Sequence, residues 1–258
     1  GDNVLKSGGG NDTLRGEGGN DRLEGGSQND VLVGGDGDDW LFGGTGTDSY
    51  DGGAGNDTMD LSEATSARTL TLGSGTVAGE SFVSIESVIT GSGADVVTGD
   101  QNDNRIVTGA GTDTITGGAG NDTIDGGLGN DAANYAAARA DVRVTTLADG
   151  SLRIEDLRAG SPLGTDTVTD VESFVFTDGT RALAAMQNHA PTSFVLSGGS
   201  VDETAAAGAV VGTLVAVDGD ANDILSYSLL SDPSGKFEVA GAQIRLEAGV
   251  GLDFETAA

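Results

Sequence analysis

The stretch "GGAGNDTMD" at Gly52–Asp60 returns at Gly117–Asp125 as "GGAGNDTID", changed only in its eighth place. What the chain holds constant is spacing. Written in rows of nine from Ser7, residues 7–60 read SGGGNDTLR, GEGGNDRLE, GGSQNDVLV, GGDGDDWLF, GGTGTDSYD and GGAGNDTMD. Before them "GDNVLK", Gly1–Lys6, is the tail of an earlier row, so the chain is expected to be a piece of something longer. The sixth place holds Asn3, Asp12, Asp21, Asp30, Asp39, Asp48 and Asp57; the eighth holds Leu5, Leu14, Leu23, Leu32, Leu41, Tyr50 and Met59. A second block restores the register at Thr90: TGSGADVVT, GDQNDNRIV, TGAGTDTIT, GGAGNDTID and GGLGNDAAN. Its sixth places are Asp95, Asn104, Asp113, Asp122 and Asp131, and its eighth places Val97, Ile106, Ile115, Ile124 and Ala133. A flexible linker has no reason to keep one carboxylate and one apolar side chain in phase over so many rows.

Six residues rich in glycine turn sharply, because glycine accepts positive φ at little steric cost. The next three, with an apolar residue in the middle, make a very short strand whose central side chain points to one face. Two such rows complete a coil, so residues eighteen apart stack one strand spacing apart, about 4.8 Å. Leu5, Leu23, Leu41 and Met59 then line one sheet, and Leu14, Leu32 and Tyr50 the facing one. The sixth-place acids stack likewise, Asp12 over Asp30 over Asp48 on one edge and Asp21 over Asp39 over Asp57 on the other.

Two carboxylates about 5 Å apart repel by about 3 kcal/mol at an effective dielectric of ~20. A core of one apolar residue per row cannot easily offset that along two ladders. A hard divalent cation between rows reverses the sign. Calcium takes six to eight oxygens in flexible arrangements, and turn carbonyls can supply those the aspartates do not. The expected ligands are Asp12, Asp21, Asp30, Asp39, Asp48, Asp57, Asp95, Asp113, Asp122 and Asp131, holding several Ca2+ ions.

Composition agrees. The net charge of −29 over 258 residues makes nucleic acid or an anionic membrane surface an unsuitable partner. Aromatic residues are 4% of the chain and glycines number 45, which leaves no material for a large conventional core. Without cysteine, neither disulfides nor thiolate metal sites hold the fold. The longest apolar stretch, Ala209–Val217, is too short for a transmembrane segment, and no part of the given sequence reads as a signal peptide.

The rows of Gly1–Asp60 and Thr90–Asn134 resemble the nonapeptide repeats of the RTX, or haemolysin-type calcium-binding, family. The resemblance implies a parallel β-roll with calcium held between turns and export to a calcium-rich exterior by a type I secretion route. Glu17, Gln28 and Asn102 depart from it by replacing turn glycines; Asn3 and Asn104 replace the carboxylate and are expected to weaken their sites.

Residues 61–89 break the period, yet "RTLTLGSGTV" and "SFVSIESVI" alternate like strands, and the latter resembles the F-x-x-I-E-x-V segment that leads back into such repeats. After Asn134, "DVRVTTLADGSLRIEDL" places two alternating runs around Asp149-Gly150, a hairpin signal. "GTDTVTDVESFVFTDGT" adds further strands, and the region resembles the β-rich cap that closes an RTX roll. "NHAPT" at Asn188–Thr192 marks a boundary. The residues beyond it resemble the start of a cadherin-like extracellular repeat, through Glu203, the pair Asp218 and Asp220, and "LDFE" with Asp253 and Glu255. In that family these acids bind calcium at domain junctions, and Asn188–Ala258 is expected to hold only part of such a sandwich.

Other chemistries fit poorly. "DGDANDILSYSL" at Asp218–Leu229 begins like an EF-hand loop, but Asp223 stands where the sharp-turn glycine belongs and Leu229 where the bidentate glutamate belongs. His189 is the single histidine, which excludes zincin motifs and His-dependent triads within this chain. A glycosidase carboxylate pair does not account for a strict nine-residue phase. Trp40 is expected on the surface.

The sequence therefore predicts an all-β, modular chain without catalytic activity: roll block one (1–60), a β-rich spacer (61–89), roll block two (90–134), a β-rich cap (135–187) and a partial cadherin-like β-sandwich (188–258). The expected partners are calcium and a cell surface or other extracellular protein, in a large secreted adhesin or surface protein. The alternative is the non-catalytic carrier region of a type I-secreted enzyme or toxin.

Overall fold

Each row of nine delivers one short strand, and alternate rows stack in parallel register. In a computed structural model, which describes residues 1–187, 191–202, 204–217, 225–232 and 234–248, Leu5 faces Leu23, Leu23 faces Leu41 and Leu41 faces Met59. Leu14, Leu32 and Tyr50 face one another on the opposite sheet. The chain is all-β, and its larger part is a parallel solenoid of about seven turns. It divides into two units, Gly1–Asn188 and His189–Ala258.

One face of the roll is a single ten-stranded sheet. It runs without a break from Val4–Gly9 through Thr58–Asp60, Ser87–Ile89 and Arg105–Val107 to Thr165–Thr169. The period-breaking segment 61–89 thus supplies a coil: Met59 faces Val88, and Val88 faces Ile106. The second face is two sheets. Tyr50 faces Phe82 at the end of one, which the antiparallel strand Gly73–Val77 closes. Leu70 starts the other against Val97, and it runs through Ile115 and Ala133 to Phe174.

The segment after Asn134 builds the last coil. Thr165–Thr169 lies parallel on Thr123–Asp125, and Ser173–Phe176 on Ala132–Asn134. Antiparallel strands then finish both sheets: the hairpin of Val142–Thr146 and Leu152–Asp156 turning at Asp149-Gly150, and Gly179–Ala182. Closing a sheet in this way leaves no unpaired parallel edge at that end.

The core is one side chain thick. Leu23, Leu32, Leu41, Met59, Val97, Ile106 and Ile115 are fully buried, each worth about 2 kcal/mol relative to exposure. Stacked turns touch so closely that glycine is required: Gly35 (φ 120°) and Gly37 (φ 130°) lie against the carbonyls of Glu17 and Gly19, where a Cβ would overlap. Glu17 and Gln28 keep the glycine conformation at φ 72° and 77°. Asn102 does not. Its row turns differently, with the Asn102 amide donating to Asp100 Oδ1 and the Asp100 amide to Asn104 Oδ1, both at 2.8 Å. Trp40 lies on the outer face with the Arg22 guanidinium 3.1 Å from its ring centroid.

In the second unit Ser193–Gly198, Val210–Val217, Gln243–Leu246 and Phe237–Ala240 form a four-stranded antiparallel sheet. The described residues make one layer rather than two packed ones. Phe194, Val195 and Val215 stand more than half exposed.

Candidate metal centre

Every sixth-place aspartate except Asp12 is buried: Asp21, Asp30, Asp39, Asp48, Asp57, Asp95, Asp113, Asp122 and Asp131. Asp12 is half-buried at the outer end of its ladder. One oxygen of each stitches coils together. Asp30 Oδ1 accepts from the Asp12 amide at 2.8 Å, Asp39 from Asp21 at 2.7 Å and Asp48 from Asp30 at 2.9 Å. Asp57 accepts from Asp39 at 2.9 Å, Asp113 from Asp95 at 2.7 Å and Asp131 from Asp113 at 2.8 Å. Asn3 and Asn104 hold their places in the ladder by donating backbone amides to Asp21 and Asp122 at 2.6 and 2.9 Å.

The other oxygen has no partner. Oδ2 of all nine buried aspartates is shielded from water and makes no hydrogen bond. An isolated buried carboxylate costs several kcal/mol even after relaxation, more than one leucine per row returns. In seven of the nine the atom lies in front of the glycine that opens its row; the rows of Asp95 and Asp113 open on Thr90 and Thr108 instead. A Cβ on Gly25 would lie 2.5 Å from Asp30 Oδ2 and 2.8 Å from the Gly43 carbonyl, and one on Gly34 would overlap Asp39 Oδ2 and the Gly52 carbonyl. At Gly16, Gly25 and Gly34 the first-place glycine therefore keeps open a cradle lined by a carboxylate oxygen and a carbonyl eighteen residues on, while at Gly43 the Tyr50 hydroxyl stands beside Asp48 Oδ2 instead. Among the described residues no three acidic, histidine or cysteine side chains converge on one point. A cation here must take backbone oxygens as well, which calcium does readily. The donor set fits that ion.

Burial, followed by the neighbouring acid, pushes the Asp39 carboxyl up, and burial likewise raises Asp48, Asp113 and Asp131. Burial lifts Asp57 and Asp122 to about 6 and Asp166 to about 7. Without a cation these seven carboxyls hold protons more readily in the fold than in the unfolded chain.

Four ladder members lie outside the nine-residue phase. Glu86 Oε2 accepts from the Asp57 amide at 3.0 Å, Asp166 Oδ1 from Asp122 at 3.0 Å and Glu172 Oε2 from Asp131 at 2.8 Å. The fourth, Glu80, precedes Ser81, which pairs with Ser49 just as Asp48 precedes it. Arg68 takes the corresponding place before Thr69, donates its amide to Asp95 Oδ1 at 2.7 Å and sends its guanidinium to within 4.0 Å of Glu80. The repeated pattern of an aliphatic residue before Glu-Ser, "SIESV" and "DVESF", is the signal that finds the two glutamates.

A second ladder runs the opposite way through the fifth places. Asn11 Oδ1 accepts from the Asn29 amide at 3.1 Å, Asn20 from Asp38 at 3.0 Å and Asp38 from Asn56 at 2.9 Å. The recurring Asn or Asp before the sixth-place aspartate is its sequence mark.

Of the predicted tail ligands, Glu203, Asp218, Asp220, Asp253 and Glu255 all lie outside the described residues.

A roll whose core is one side chain thick and whose turns hold orphaned carboxylates is completed by cations; it is a metal-binding parallel β-roll. The comparison with protein families makes the assignment particular: the RTX calcium-binding nonapeptide repeat matches in four copies, at residues 1–32, 24–59, 85–115 and 98–132. The matched segments, 1–59 and 85–132, are similar to that family's repeats, which bind several Ca2+ ions as a non-catalytic segment. No curated protein matches the chain. Among the described residues no helix is long and apolar enough to cross a membrane.

Proposed function

We propose that this chain is an extracellular, calcium-binding structural and adhesive segment of a large secreted protein, and that its roll folds when exported chain meets calcium. The observation that carries this reading is the row of buried, unpartnered Oδ2 atoms. Asp21, Asp30, Asp39, Asp48, Asp57, Asp95, Asp113, Asp122 and Asp131 would hold the ions through Oδ2, with a backbone carbonyl of the next coil beside Asp21, Asp30, Asp39, Asp57 and Asp131; Asp12 would contribute at the open end. Bound calcium supplies the positive charge that turns like-charge repulsion between coils into attraction. The aspartates bind, the glycines leave room, and the aliphatic stripe closes over the rest. The adhesive part rests on the tail, where the resemblance to a cadherin-like repeat is joined by an antiparallel sheet with an open apolar face.

Circular dichroism during calcium titration of the chelated chain tests the folding step. The β signal is expected to appear with calcium and to respond poorly to magnesium, which demands a tighter octahedral shell. A full β signal in excess chelator rules out calcium-driven folding.

A further inference from the structure

Two glutamates stand where the nine-residue period breaks, and both corners share one design. At the first, the turn of six residues is cut to three, Ser84–Glu86, between the paired triplets Ser81–Val83 and Ser87–Ile89. At the second, Asp170–Glu172 is all that lies between Thr165–Thr169 and Ser173–Phe176. Ser84 and Asp170, each two residues before its glutamate, adopt positive φ, 53° and 49°, a conformation uncommon outside glycine. The consequence of that strain is visible in front of the facing glycine. A Cβ on Gly52 would overlap the Ser84 carbonyl and lie 2.5 Å from Asp57 Oδ2; one on Gly126 would overlap the Asp170 carbonyl and lie 3.1 Å from Asp131 Oδ2. In the regular coils the same place is taken by a first-place glycine carbonyl, as Gly43 does for Gly25 and Asp30.

The cradle of the repeats is therefore reproduced without the repeat. Asp57 and Asp131 are both 0% exposed, and their Oδ2 atoms point into these cradles with no partner. Glu86 and Glu172 accept the Asp57 and Asp131 amides, as a ladder aspartate would. A side chain one methylene longer suits a corner with a shortened turn, since it recovers the reach that the missing backbone gave.

We infer that Asp57, Ser84 and Glu86 form one calcium site, and Asp131, Asp170 and Glu172 another. Each site joins a nonapeptide aspartate to ligands outside the repeat, and both rest on the calcium reading above. The first joins the coil of residues 49–60 to the coil that precedes Arg105–Val107. The second joins the last nonapeptide row to the coil built by 165–176. Calcium thus holds the irregular segments to the repeats by the same chemistry that holds the repeats to each other.

The test compares the full chain with Glu86→Gln and Glu172→Gln, which keep an oxygen to accept the amide but remove the charge. Bound calcium is counted at saturation by equilibrium dialysis and metal analysis. Each variant is expected to bind one ion fewer than the parent, and the double variant two fewer. An unchanged count in both single variants overturns the inference. Should a variant fail to fold even in saturating calcium, crystals of the parent chain grown with calcium decide by anomalous scattering. Peaks at both glutamate corners support the sites. Peaks between aspartates eighteen apart, with none at the corners, overturn them and leave the function proposed above intact. A parent that binds no calcium overturns that function first.

Discussion

In the unit Gly1–Asn188 the inward apolar side chains are few and nearly all covered, and most of the polar atoms buried without a partner are carboxylate oxygens. In the sheet of residues 193–246 the balance is reversed. Phe194, Val195, Val215 and Val217 are more than half exposed, and no described acid there is buried. The two regions need different things for stability. The roll lacks positive charge, whereas the tail lacks a surface to cover its apolar face. Only the first of these needs is met by an ion.

The largest expected effect is on the roll as a whole. Chelation should abolish amide protection in residues 1–187 and leave that of Val210–Val217 unchanged, as read by hydrogen exchange with and without chelator. Equal loss in both regions would break the comparison. The next effect concerns the cradle itself. Gly34→Ala places a methyl group against Asp39 Oδ2 and the Gly52 carbonyl and is expected to destabilise the calcium-bound roll by about 3 kcal/mol. Gly8→Ala, at φ 114° with open space around it, incurs only backbone strain, about 1 kcal/mol. Denaturant titrations in saturating calcium compare the two, and similar losses would mean that the first-place glycine guards no site.

Within a ladder the interior acids should matter more than the end. Asp39→Ala disturbs the spaces shared with Asp21 and with Asp57, whereas Asp12 has a ladder neighbour on one side, Asp30. The calcium midpoint for folding is expected to rise several-fold more for Asp39→Ala than for Asp12→Ala, as nearest-neighbour arrays require. Asp57 belongs with Asp39 in this ranking. The nine-residue rows end its ladder there, but Glu86 continues it.

The smallest effect is that of acid on the calcium-free chain. Burial raises Asp57 and Asp122 to about 6 and Asp166 to about 7 in the fold, against about 3.9 in the unfolded chain. A group raised on folding contributes stability that is full below its unfolded pKa and is lost as pH rises through its folded one. The chelated chain should therefore gain β signal as pH falls from 7.5 toward 4 and lose it between about 6 and 7 on return. A flat or falling signal on acidification would show that the ladder carboxylates are not held buried without metal.

Most of the roll was legible because period and chemistry coincide: Leu23, Leu41 and Met59 in the eighth place, Asp21, Asp39 and Asp57 in the sixth. The rest escaped where they part. Met59 meets Val88, twenty-nine residues on, and Ile124 meets Val168, forty-four on. No fixed spacing announces Glu86 or Asp166, because an insertion at a corner leaves the stacked strands in register while moving their numbers. Arg68 was hidden for a second reason: a cation occupies a place in which the rows led one to look for an acid. The fifth-place ladder was visible in every "ND" pair, but its role depends on backbone amides that composition does not reveal.

Alternate-row stacking also gives the chain a parity. Each aspartate meets the one two rows away, so excising a single nine-residue row would carry every downstream acid to the opposite edge and every downstream strand to the opposite sheet. Excising eighteen residues returns like to like, as Leu23 on Leu41 and Asp21 on Asp39 already illustrate. A gene for such a roll can lengthen or shorten neutrally only in even numbers of rows. An odd change must be absorbed by an irregular segment, which is the place that residues 61–89 occupy between the two blocks.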